Sequence, residues 1–176
     1  MRVLKRIVNA YQRRRQRKAQ PLHEERSTVE TTVDIRERVV ASVIQKLRHE
    51  DPDVRLNAVK QLEEIGDPAV VEPLVEALED ENWGVRNRVA WALGQIGDAY
   101  VVAPLIGLLG EGNGEIKIYV QYSLLNIRNR CQKAGTMQEF EKNFDDGLAK
   151  LAEKHPDLGI PAEFVELKNE IENRKG

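Results

Sequence analysis

Between residues 39 and 128 the apolar side chains recur on two nested periods, one of a helical turn and one of 31 residues. Within the stretch 83–96, Val85, Val89, Ala92, Leu93 and Ile96 share one face at helical spacing, and Gly97-Asp98 follows as a stop and a new start. Gly97 is expected to take the left-handed conformation that ends a helix, and Asp98 to accept hydrogen bonds from the free amides of the next one. Val101, Val102, Leu105 and Leu109 form a second stripe, with Pro104 in its first turn, where a missing amide hydrogen costs little. One period earlier Gly66-Asp67 and Pro73 stand in the same places, and residues 51–80 set against 82–111 agree at eleven positions without a gap. The register reaches back through Val39, Val40, Val43 and Leu47 and forward through Ile116, Val120, Leu124 and Ile127. A fixed period of this length predicts stacked helix pairs, each needing its neighbour to bury an apolar face.

Beyond this region the pattern changes. Lys117 stands where the earlier units carry Arg55 and Arg86, and Arg128-Asn129 replaces Gly-Asp, so the regular array is expected to stop near residue 130. Gly135-Thr136 then opens a helix with Glu139 placed for a capping box, and Met137, Phe140, Phe144, Leu148 and Leu151 supply its stripe as far as His155-Pro156. A last helix after Pro161 carries Phe164, Leu167 and Ile171. An end unit leaves its apolar face bare, so helices in 136–176 are expected to cap the stack. At the other end, Val3, Leu4, Ile7, Val8 and Tyr11 form a narrow stripe beside a run of bases. This predicts a basic amphipathic helix over 1–19, a polar connection over 20–34 and the repeats over 35–130.

The residues Val-Arg, Leu, Ile-Gly-Asp and Val-Val-x-Pro-Leu, at their spacing in both full units, resemble the short HEAT-like repeats of the phycobilisome-lyase type. The resemblance covers roughly 36–128. It implies an all-α, short right-handed solenoid and a polar ladder between units in which Arg55, Arg86, Asp67 and Asp98 would take part, and it leaves the function open, because such repeats serve many unrelated roles. It also implies that the exposed stripe of the first helices lines a concave binding surface. A bilin chaperone or lyase role is a minor alternative from the same source.

Charge refines this picture. The net charge is −2, but residues 1–20 hold eight Lys or Arg and no acid, leaving 19 bases against 29 acids in the remainder, a net of −10. A basic partner-seeking surface is therefore local: Arg13, Arg14, Arg15, Arg17 and Lys18 could neutralise phosphates of a nucleic acid or ribosome. The same segment could lie on an anionic membrane, dock on an acidic protein or dock on the acidic body. The single cysteine, Cys131, excludes an internal disulfide and favours a reducing compartment. With no signal-like or membrane-spanning stretch, a cytoplasmic location is expected.

Catalytic patterns are missing. A di-iron hydroxylase built on similar repeats uses His-Glu pairs on successive first helices; here His23-Glu24 and His49-Glu50 lie 26 residues apart and off those helices. The matching positions are Leu56-Asn57, Asn87-Arg88 and Ile118-Tyr119, which offer no iron ligand. Gly107, Gly110, Gly112 and Gly114 lack the spacing and the Lys-Ser/Thr of a phosphate loop, and read as loop or tight packing. His155 reads as an ordinary helix-end residue, and Cys131 as a semi-buried thiol. No enzyme activity, cofactor or metal is expected. The informative positions are those the repeat leaves free. Trp83, Asn87, Arg88, Trp91 and Gln95 lie opposite the core stripe of their helix, and Ile118, Tyr119 and Tyr122 occupy the corresponding side of the next. Large aromatics beside an Arg on one exposed face predict a protein-binding surface. A second copy of the chain could also fill it.

Overall fold

The computed structural model describes residues 32–111, 114–173. The chain divides into residues 1–39 and 40–176. The described residues form eight α-helices joined by turns, four of them 3-10, with no strand among them. Helix α1 is Thr32–Lys46, so the helix takes in Thr32, Val33 and Asp34 from the predicted connection. Then come α2 (Pro52–Ile65), α3 (Val71–Glu76), α4 (Trp83–Ile96), α5 (Val102–Gly107), α6 (Gly114–Ala134), α7 (Met137–Lys154) and α8 (Ala162–Asn173). The basic segment 1–19, with Arg13, Arg14, Arg15, Arg17 and Lys18, lies outside the described residues, as does His23-Glu24.

Within residues 40–176 the helices stack as an α-solenoid does. First helices pack side by side, α4 between α2 and α6, while α5 packs on α7, and α7 also on α6. The core is the repeat's own list: Val59, Leu62, Val70, Leu74, Val85, Val89, Leu93, Val101, Val102, Leu105, Val120, Leu124 and Ile127 are all buried. It continues without interruption into Phe140, Phe144 and Phe164, the largest buried side chains.

Cap chemistry explains the turns. Asp51 accepts from the Asp53 amide at the start of α2, and Asn82 accepts from Gly84 and Val85 at the start of α4. Asp67 and Asp98 accept from the amides of Ala69 and Tyr100 and thereby open the 3-10 turns Pro68–Val70 and Ala99–Val101. The second helices are short, with 3-10 turns on both sides of α3 and α5, and Pro73 and Pro104 fall in their first turns as expected.

Two local expectations are corrected. Gly66 is left-handed at φ 60°, but Gly97 is extended at φ −74°, ψ 163°. Glycine is needed at 97 because a β-carbon there would lie 2.6 Å from the Leu93 carbonyl oxygen and 2.6 Å from a Val101 methyl. Thr136 makes no side-chain cap bond, so no capping box forms. Of the residues in the expected polar ladder, Arg55 does bridge successive units, reaching forward to Asp80, in the turn before α4, with bonds of 2.7 and 2.9 Å, and Asp67 and Asp98 each accept from an amide of their own turn. Helix α6 runs through Arg128-Asn129, which stand in place of Gly-Asp, to Ala134.

Candidate functional site

The free face of the first helices is held by two junctions. At α2–α4, Arg55 is buried and bidentate to Asp80, and it also donates to the backbone carbonyls of His49 and Glu50. The hydrogen bond to Asp80 holds its guanidinium pKa above the ordinary value, outweighing burial. Arg86, one period on, folds back onto the Asp80 and Glu81 carbonyls. Nearer the free face, Arg88 pairs with Glu63 across the same junction.

At α4–α6 the chemistry is steric. Gly94 faces Ser123 so closely that a β-carbon on Gly94 would lie 2.8 Å from the Ser123 Cα. Ser123 Oγ donates to the Ala90 carbonyl at 2.8 Å, satisfying a buried hydroxyl. Arg130 closes the end of the junction, donating to the Gly94 and Gly97 carbonyls at 2.9 and 2.6 Å. Burial lowers its pKa, and the fully charged form still covers the carbonyl end of α4.

This close approach brings together Trp91 and Tyr122, which are one repeat apart in sequence. Their rings stack with centroids 4.7 Å apart and planes 4° from parallel. Such an offset pair contributes about 1 kcal/mol beyond area burial, and it joins α4 to α6 at the surface. Trp83 and Ile118 are exposed, and Tyr122 is exposed on its outer side. Gln95 is half-buried, and Arg88 is half-buried by its pairing with Glu63.

One predicted surface residue is not on that surface: Asn87 is buried, two turns before Gly94 on the same helical face. Tyr119 is half-buried and packs partly against the core. Conversely, Leu125 is exposed in line with Ile118 and Tyr122, and spacing could have revealed it, since 118, 122 and 125 share a helical face. Gly94 and Ser123 had no such signal: each is an ordinary small residue until the other is opposite.

The remaining candidates have structural places. His49 Nδ1 accepts from the Asp51 amide within the turn before α2. His155 caps α7 through its backbone and lays its ring on Gly110, whose lack of a side chain makes room. Cys131 is buried and free. Among the described residues no group of three or more His, Cys, Asp or Glu could hold a metal ion. No helix among them is long and apolar enough to cross a membrane.

Residues 40–124 match the family model for HEAT repeats. The match covers the array from the middle of α1 into α6 and supports a HEAT-like repeat protein. No curated protein matches the chain.

Proposed function

We propose that this chain is a non-enzymatic scaffold that holds another protein against the exposed face of its first helices. HEAT repeats commonly serve as protein-interaction scaffolds. The observation that carries the reading is the stacked Trp91–Tyr122 pair flanked by exposed Trp83 and Ile118. Aromatic anchors with a pre-formed geometry lose little freedom on binding and are typical of interface hot spots. The anchors are Trp83, Trp91, Ile118 and Tyr122, with Arg88 and Gln95 as polar neighbours.

A photo-crosslinking side chain at Ile118 should capture a discrete protein from cells, whereas the same group at exposed Glu72, on α3, should not. Equal capture from both positions would remove the reading. Trp83→Ala and Tyr122→Ala together should reduce capture without altering helix content.

A second reading rests on the eight bases and no acids of residues 1–20. Under it, the segment containing Arg13, Arg14, Arg15, Arg17 and Lys18 binds RNA or DNA, and deletion of residues 1–18 abolishes a salt-sensitive association. Absence of that association in the full chain at low salt would end it. A bilin-handling role rests on the repeat subtype alone and receives no support from the site.

A further inference from the structure

The exposed face of α6 has a regularity beyond its aromatic content. Glu115, Ile118, Tyr122, Leu125 and Asn129 follow one another at alternating steps of three and four residues. This is the spacing with which one helix presents a seam to another. The three apolar members are 67%, 43% and 46% exposed. Seams of this spacing on a solvent-facing helix are complementary to a second helix crossing at a shallow angle.

The surroundings of the seam indicate the charge of its occupant. On one side Tyr122 is backed by Trp91, an apolar wall. On the other side lies α8, where Glu163 pairs with Lys117 and Glu170 with Arg128. Both pairs run in the same chain direction along α6 and α8, so the helices lie parallel, and the α6 cations beside the seam are already engaged. Glu166 on α8 is exposed. The wider body is acidic, at 19 bases to 29 acids beyond residue 20. A polyanion would meet paired cations and net negative charge here, and an acidic helix would be repelled.

We infer that the seam receives a basic amphipathic α-helix of a partner protein, its apolar edge on Ile118, Tyr122 and Leu125 and its cations toward Glu166 on α8. This rests on the protein-scaffold reading and specifies the class of partner.

The test uses the full chain and fluorescently labelled synthetic peptides of one length. One carries a Leu stripe at three-four spacing flanked by Lys, one the same stripe flanked by Glu, and one the Lys composition scrambled. The Lys-flanked helix should bind, more weakly as salt rises, and the other two should bind at least about tenfold less well. Ile118→Ser with Leu125→Ser should weaken it by roughly tenfold, and Glu166→Gln by a smaller factor, with circular dichroism unchanged. Equal binding of the scrambled peptide, or indifference to the double serine variant, would overturn the inference. So would preferential binding of the Glu-flanked helix, competition at the seam by a short RNA, or a dimer of the chain that the double variant dissolves. Crosslinking from position 118 to a protein with no basic helix would sink this inference while leaving the scaffold reading intact.

Discussion

The junctions α2–α4 and α4–α6 join equivalent helices of one repeat by different means. The first is held at its turn by a buried ion pair, Arg55–Asp80, and nearer the face by Arg88–Glu63. The second is held by the absence of a side chain at Gly94, by Ser123 and by Arg130 on two carbonyls. An ion-paired junction tolerates distance, because long side chains span it. A junction closed on glycine sets a short distance, and a short distance is what lets Trp91 and Tyr122 meet face to face. The aromatic surface therefore forms at α4–α6, while Lys60, the residue matching Trp91 in α2, stays exposed and unstacked.

The largest expected effect is at the first junction. Arg55→Ala strands Asp80 and the His49 and Glu50 carbonyls, and should cost about 3 kcal/mol in urea unfolding, as for other broken buried pairs. A loss within the range of an exposed pair would show that the turn rearranges and that the junctions differ less than their geometry indicates. Next is Gly94→Ala, which drives a methyl against the Ser123 backbone and should cost about 2 kcal/mol by overpacking. It should also separate the rings of Trp91 and Tyr122, visible as a loss of near-ultraviolet circular dichroism that Arg55→Ala does not produce. Retention of that signal would detach the stack from the close approach. Arg130→Met leaves two carbonyls without a charged donor and should cost about 1.5 kcal/mol, with the aromatic signal reduced less than by Gly94→Ala.

The smallest effect concerns α8. The Glu163 carboxyl is held below its ordinary pKa, first by a backbone hydrogen bond at its own helix start and then by Lys117. A depressed folded pKa contributes stability above the unfolded value, lost as pH falls through the folded one. Glu163→Gln should thus lower the melting temperature slightly at neutral pH and not at all at strongly acid pH. A deficit that persists in acid would mean that Glu163 packs rather than ionises.

Much of the fold was readable because its causes are local. The stripes Val85/Val89/Leu93 and Val120/Leu124/Ile127 are buried as their spacing requires, and Asp67, Asp98 and the prolines stand where cap and first-turn chemistry place them. The repeat also marks Trp83, Trp91, Tyr119 and Tyr122 as residues that the scaffold does not need. Reading failed where a residue's role depends on a partner distant in sequence. Arg55 bridges units as a ladder residue does, but its acceptor, Asp80, lies 25 residues on and no local pattern marks it. Gly97 was expected to be left-handed like Gly66, yet what demands glycine there is the nearness of Leu93 and Val101.

Alone, the sequence determined which segments of the repeat array and of residues 136–173 are helical and which stripe each must bury, since hydrogen bonding and side-chain periodicity act within a turn or two of the chain. Only the tertiary structure decided how wide the buried stripe is on each helix. That width depends on the distance between neighbouring axes, which at α4–α6 is set by Gly94 meeting Ser123. The same close contact stacks Trp91 on Tyr122, and Ile118 and Leu125 extend from Tyr122 along the exposed side of α6 as an open seam.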